Sequence, residues 1–388
     1  MKRLTRLLAV GALCVFPLLA STAWAERVVA DNVRTQYEMI RVVEVAAGLE
    51  HPWALAFLPD GSLLVTERPG RLQWVRDGEK HEIGGLPGNL HATGQGGLLD
   101  LALHPDFDDN RWVYFTYSRG DRRATTTALA RARLDTEARR LRDLEQLLVA
   151  DAEASPGRHY GSRVAFLPDG TLLMTVGDRG DNEHTGHDAR AQNVGNHVGT
   201  TIRLHDDGSV PGDNPFVDDP GARDEIFSYG HRNAQGMFIH PETGEIWQSE
   251  HGPRGGDELN RVRPGVNYGW PVVSHGRDYR TQRQIGVGRY AEGMEPPVRD
   301  WTPSIAPSGL AHYGGGAFER WQGNFFAGAL SRPAVRRLVV EDGKVTHEEE
   351  LLRDTLGRIR DVREGPDGLL YLLTDARNGG IYRVEPAN

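Results

Sequence analysis

The chain has 388 residues, 45 basic against 54 acidic side chains, a formal net charge of −9 and a single cysteine. An acidic chain is a poor partner for nucleic acid or anionic membrane, because both demand an excess of protein positive charge. A lone cysteine excludes an intrachain disulfide and a multi-thiolate zinc site.

Residues 1–25 place Lys2, Arg3 and Arg6 before an apolar run and end on Ala23-Trp24-Ala25, the pattern of a cleavable secretory signal peptide. The mature protein is expected to begin at Glu26 and to be periplasmic or secreted. The apolar run is short for a membrane span, and no later stretch approaches about 18 uninterrupted apolar residues, so membrane insertion is not expected. Cys14 lies inside the signal, preceded by Leu13 where a lipoprotein signal would carry a small residue. Its removal leaves no cysteine nucleophile. Beyond the signal, lysine occurs only at Lys80 and Lys344, so arginine carries nearly all positive charge.

A strand-turn-strand phrase recurs along the chain at 53–67, 163–178 and 359–375, with looser copies at 99–118 and 236–250. In the clear copies Pro and Asp pre-set a turn, Gly supplies a positive φ, and the flanks alternate as half-buried strands do. Turn prolines at Pro59, Pro105, Pro168 and Pro241 are spaced as four-stranded blades with unequal loop insertions would be. Five copies and a degenerate stretch around 301–341 predict an all-β, six-bladed β-propeller with four-stranded antiparallel blades, with seven blades as the alternative count. Residues 26–388 would form one catalytic domain. Residues 130–150 fit either a helix or a hairpin. No GxGxxG follows a strand and opens a helix, so a dinucleotide-binding unit finds no support. The polar, glycine-rich segments 178–222 and 251–295 are the natural roof of a site.

Several residues there carry chemistry. Arg232 and Asn233, in YGHRNAQG, offer a guanidinium and an amide to an anionic or carbonyl-rich ligand, although from spacing alone they serve equally as loop residues bonding nearby backbone. Gly252-Pro253 would expose main-chain carbonyls suited to calcium; Asp257 and Glu258 add oxygen donors or form a solvated acidic turn. His159 precedes a strand, and Asp178 ends the returning strand of the same hairpin, where it could orient the imidazole. Gln95 belongs to the same polar set. Arg358 and Arg360 share a strand face and repel unless an anion lies between them. That anion is a multiply carboxylated ligand, or an acid such as Asp361 or Asp354.

In chain order, GQGGLLDLALHPDF, HYGSRVAFLPDG, SYGHRNAQG, EHGPRGGDELN, GVNYGWP, WTPSIAPSGLAHY and GRIRDVREGPDGLLYLLTD resemble the soluble glucose and aldose sugar dehydrogenases that use pyrroloquinoline quinone (PQQ). The resemblance runs from about residue 40 to 386. It implies oxidation of an aldose at C1 to the lactone, with PQQ and Ca2+ as cofactors, an external electron acceptor, and a monomer or homodimer. His159 would be the general base, Asp178 its partner, and Arg232 the group stabilising charge at the quinone. Asn233, Gln95, Arg358 and Arg360 would bind PQQ, with Tyr279, Ala329, Leu330 and Ser331 beside it. Gly252 and Pro253 would hold calcium, Glu258 and Tyr268 a second, structural calcium, and Trp301 would wall the sugar or cofactor. One position departs from the pattern. Ser331 stands where the family carries a lysine, and Arg332 is the adjacent cation that could replace it. Two other classes bear weighing: a calcium-dependent propeller hydrolase of the sugar lactonase type, and a non-catalytic propeller binding carbohydrate or a partner.

Overall fold

The computed structural model describes residues 27–180 and 186–387; the signal-peptide expectation for 1–25 lies outside them. The repeated turns form as their chemistry dictates. At Leu58–Gly61 the Gly61 N–H donates to the Leu58 carbonyl at 2.9 Å, Gly61 takes φ 82°, and Asp60 accepts the Ser62 N–H at 3.0 Å. Leu167–Gly170 repeats this with Gly170 at φ 84° and Asp169 accepting from Thr171. A side chain at either glycine would be strained by the backbone alone.

Each hairpin grows into an antiparallel blade. The first runs through Pro52–Phe57, Leu63–Glu67, Arg71–Arg76 and Glu79–Ile83, and the second through Leu98–Leu103, Trp112–Gly120, Thr125–Asp135 and Arg140–Val149. The stretch 130–150 is therefore a hairpin. The third comprises Val164–Phe166, Leu172–Val176, Thr200–Leu204 and Ile226–Tyr229; the fourth Ala234–Ile239, Ile246–Glu250, Asp257–Val262 and Arg299–Trp301. The degenerate region becomes the fifth blade, Pro307–His312, Phe325–Ala329, Ala334–Glu341 and Lys344–Leu351.

The sixth blade departs from the expected four strands. Ile359–Glu364, Leu370–Thr374 and Gly379–Pro386 are completed by Met39–Leu49 and edged by Arg27–Arg34, giving five. The two ends of the chain thus close the ring by pairing Met39–Leu49 against Gly379–Pro386. The six innermost strands neighbour one another in a closed circle, which makes a six-bladed β-propeller.

Apolar side chains fill the spaces between blades, with Trp53, Leu98 and Phe115 in one cluster and Trp247, Leu310 and Phe325 in another. Buried hydroxyls fasten successive blades. Thr66 donates to the Leu99 carbonyl, Thr116 to Ser162, Thr175 to Ala234, Ser249 to Ser308 and Ser308 to Ile359. Each satisfies an inner-strand carbonyl that would otherwise lose its solvent.

The axis is closed by charge. Arg163, 2% exposed, donates to Asp100 at 3.1 Å, to Asp361 at 2.7 Å and to the Gln235 carbonyl. Arg363 bonds the same two aspartates, each at 2.8 Å. Although burial opposes its ionisation, Asp361 is held below the usual carboxylate range by Arg163 and Arg363. Removing one member strands the others without water, so Arg163→Ala is expected to lower stability by about 3–5 kcal/mol, measured by reversible denaturant unfolding; a loss under about 1 kcal/mol would show that the cluster is not holding the ring.

Candidate functional site

The inner strands deliver the chemistry-bearing residues to one end of the axis. There, a cavity of about 120 Å³ is lined by Trp53, Arg68, Gln95, Gln235, His251, Ala306, Leu330, Arg358 and Arg360. Trp53, Ala306 and Leu330 supply apolar surface, and the rest supply hydrogen bonds and positive charge.

His159 takes a left-handed φ of 54°, which turns its ring toward Asp178, 2.6 Å from Nδ1 to the carboxylate. An ionised carboxylate only accepts, so Nδ1 carries the hydrogen and Nε2 presents a lone pair. Nε2 has no hydrogen-bond partner among the described residues. Burial lowers the His159 pKa; Asp178 opposes that and Arg232 adds to it, with a net shift below the ordinary value. Against the penalty of burial, His159 and Arg232 hold Asp178 low. The result is a neutral base beside a fixed carboxylate, the arrangement general-base catalysis requires. Gln95 braces it by accepting the His159 backbone N–H at 2.8 Å.

Arg232 is anchored by its backbone N–H on Glu250 and by NH1 on the carbonyls of His251, at 3.0 Å, and Gly252, at 2.6 Å. Asn233 accepts from the Gly161 N–H at 3.1 Å. Arg232 Nε, Asn233 Nδ2 and His251 Nε2 are buried without partners. Unpartnered polar atoms of this kind are rare in folded proteins, and these three, with His251 lining the cavity and Arg232 bonded to its carbonyl, fit a ligand rich in oxygen and nitrogen acceptors.

Arg358 and Arg360 converge as their shared strand face suggests, but the acid between them is neither Asp361 nor Asp354. Both donate to Asp375 at 3.0 Å. Asp361 belongs to the axial cluster, and among the described residues Asp354 forms an ion pair with Arg353 alone. Arg360 also donates to the Gln235 side chain at 2.9 Å, and Arg358 to the Leu330 carbonyl at 3.0 Å.

Other expected residues are dispersed. Leu330 lines the cavity, Ala329 is packed in the core, and Ser331 and Arg332 are exposed and line none of it. Trp301 does not wall the site: it is 3% exposed in the core between two blades, and its indole donates to Glu348 at 3.0 Å. Tyr279 is 63% exposed and bonded to the Pro253 carbonyl at 3.1 Å. The Gly252 and Pro253 carbonyls thus each accept one side-chain hydrogen bond and keep a second lone pair. Asn260 donates to both Glu250 and Glu258, and desolvation with the Glu250 charge pushes the Glu258 carboxyl well above the usual range. Tyr268 stacks on His231 at 4.6 Å, and its hydroxyl, pushed up to about 12 by burial, donates to the Arg261 carbonyl. That hydroxyl therefore stays protonated rather than serving as an anionic metal ligand. Asp257 is not a solvated turn residue: it is buried and accepts from Gly252, Ser304, Ile305 and Ala306.

Sequence reasoning missed Trp53, Arg68, His251, Trp270 and Asp375. Trp270 donates its indole N–H to Asp178 at 2.8 Å and lies under the Arg232 guanidinium at 5.1 Å, so one side chain orients both the dyad and the arginine. Its signal was present, since GVNYGW is one of the quoted motifs.

The fold and site together define a six-bladed propeller with an arginine-edged axial pocket beside a neutral histidine base. The chain belongs to the Glucose / Sorbosone dehydrogenase family, which it matches over residues 49–383. It is 46% identical to an uncharacterized protein of Synechocystis sp. over 92% of this chain and 89% of the relative. It is 41% identical to the aldose sugar dehydrogenase YliI of Escherichia coli over 88% of this chain and 91% of the relative. The solved PQQ-bound aldose sugar dehydrogenase of Streptomyces coelicolor superposes with a TM-score of 0.74 at 28% identity, over 91% of this chain and all of that one.

Burial first, then Arg232 and Arg360, drive the His251 imidazole down to about 3. Its ring resonances should therefore stay unshifted between pH 8 and pH 5 in NMR titration. Unfolded imidazoles protonate near about pH 6.5, so this contribution to stability is complete above that value and falls as the pH drops below it; His251→Gln should shallow that slope.

Proposed function

We propose that the protein is an exported PQQ-dependent aldose sugar dehydrogenase that oxidises sugars at C1 and passes electrons to an external acceptor. The observation that carries this reading is the His159–Asp178 dyad, with a bare Nε2, beside an arginine-edged pocket, together with unpartnered polar atoms on Arg232, Asn233 and the pocket residue His251. The names of the similar aldose sugar dehydrogenases support the reaction class, and the PQQ-bound relative supports the cofactor.

PQQ, held in place by calcium, would supply the hydride acceptor and the Lewis-acid polarisation. This chain's own residues do the rest. His159 Nε2 takes the proton of the C1 hydroxyl. Asp178 keeps the proton on Nδ1 and stabilises the imidazolium that forms. Arg232 offers a guanidinium to charge developing on the cofactor, an effect typically worth about 3–4 kcal/mol of barrier. Asn233 Nδ2 and Gln95 bind its edge, and Arg358 and Arg360 bind its carboxylates. The remaining lone pairs of the Gly252 and Pro253 carbonyls suit a hard cation. A second cation beside Glu258 would relieve the crowding of its carboxyl against Glu250. The expected N-terminal signal would direct export, and the exposed Tyr279 would meet the incoming sugar.

Apoprotein given PQQ and Ca2+ is expected to reduce an artificial dye in the presence of aldoses, whereas NAD should support no turnover. Demonstrated PQQ binding with no dye reduction across a broad panel of sugars would defeat the assignment. His159→Ala should lower kcat by about a hundredfold or more while changing the Kd for PQQ less than about threefold. Loss of binding alone would instead make His159 structural. For the processed protein, mass spectrometry of the exported form should find Glu26 at the N-terminus.

A further inference from the structure

Ser331 lacks the charge that its position was expected to carry, and neither it nor Arg332 reaches the cavity, yet a third guanidinium does. Arg68 follows the second strand of the first blade and lines the same cavity as Arg358 and Arg360. Its NH1 lies 3.7 Å from Asp375, the carboxylate to which both other arginines donate. His51 Nδ1 bonds Asp375 Oδ1, the oxygen that Arg68 approaches, at 2.7 Å.

The backbone of Arg68 is pinned on both sides. Its N–H donates to the His51 carbonyl at 3.0 Å, and its carbonyl accepts from Leu98 at 3.1 Å. Gly97 packs so closely that a Cβ there would lie 1.6 Å from the Arg68 carbonyl oxygen and 3.0 Å from its Cγ. The side chain is therefore presented by a fixed backbone, at 19% exposure, rather than waving in solvent.

Resting on the PQQ reading, we propose that Arg68 is a direct ligand of the cofactor's carboxylates and supplies the charge missing at Ser331, with Asp375 as the positioning residue that holds Arg68, Arg358 and Arg360 along one edge. Three guanidiniums against one carboxylate leave two positive charges on that edge. A single bound carboxylate would neutralise only half of them, whereas a polycarboxylate matches the surplus, and planar forks suit carboxylates better than an ammonium does. Against burial, Arg360 and the other neighbours hold Asp375 far below the usual carboxylate range, so the anchor stays ionised.

The test is spectroscopic titration of apoprotein with PQQ in excess Ca2+, at low and high salt. Arg68→Gln should raise the Kd about tenfold at low salt, and the gap should narrow as salt screens the charge. Arg68→Lys, with wild-type thermal stability, should stay within about threefold of wild type at low salt. Equal affinity of Arg68→Gln and wild type would overturn the assignment, as would a Kd raised equally at both salt concentrations. If Arg68→Gln does not fold, Arg68→Lys decides: a stable Arg68→Lys protein that binds ten times more weakly, with no salt dependence of the difference, sinks the charge role. Wild-type protein that takes up no PQQ would defeat the cofactor reading itself, whereas wild-type binding with unaffected variants defeats only this inference.

Discussion

The axial cluster of Arg163, Asp100, Asp361 and Arg363 is the constraint on which the site rests. It joins the second, third and sixth blades by ion pairs, and reaches the fourth through the Gln235 carbonyl. Trp53 of the first blade lies beneath the Arg163 guanidinium at 4.5 Å. Two cations and two anions balance there, so the floor adds no net charge to the pocket above. Buried pairs of this kind are seldom strong sources of net stability, but losing one partner is costly. Here they fix the relative rotation of blades whose loops must agree in position. Trp53 and Gln235 then pass that registration upward: Arg360 sits 5.8 Å over the same indole and donates to the Gln235 side chain.

The same end of the propeller repeats one motif with different outcomes. A carboxylate at or just beyond the end of a blade's second strand meets a histidine just before an inner strand, as in Asp178 with His159, Glu250 with His231 and Asp375 with His51. His231 also bonds Ser228 through Nε2 and is sealed under Tyr268, which leaves it no free lone pair. His51 faces an acid already claimed by arginines. At His159 a buried, ionised partner not shared with arginine side chains coincides with a ring nitrogen that has no hydrogen-bond partner among the described residues. The pair forms within the third and fourth blades and, for His51 and Asp375, across the seam between the first and sixth, and local packing decides which one is reactive.

What the sequence revealed follows from which forces are local. Pro-Asp-Gly turns and alternating strands announce themselves within 15 residues, so the blade count and the His159–Asp178 hairpin were legible. The fifth blade was faint because its first connection runs through Gly314–Gly316 and a short 3-10 turn at Glu319–Trp321 instead of such a turn. The fifth strand of the last blade was hidden because its partners lie at opposite ends of the chain. Asp375 stood at the end of a quoted repeat, but pairing it with Arg358 and Arg360 needs the bend between the strands. Trp301 misled because the family resemblance makes it a site wall, whereas a Glu348 acceptor from the next blade makes it a core residue here.

Arg232 shows why the two halves of the site cannot be tuned separately. Its backbone N–H is held by Glu250, its NH1 by the His251 and Gly252 carbonyls, and its guanidinium by the Trp270 ring that also bonds Asp178. A shift of Arg232 therefore changes the carbonyl offered at Gly252, the field at His159 and the orientation of Asp178 together. Burial already lowers the His159 pKa and Arg232 lowers it further, so the guanidinium that steadies negative charge on a bound acceptor also keeps the base unprotonated beforehand. Positive charge in this pocket thus prepares the base and receives the ligand through the same atoms, which is the physical reason an arginine-rich, nearly lysine-free chain can build it.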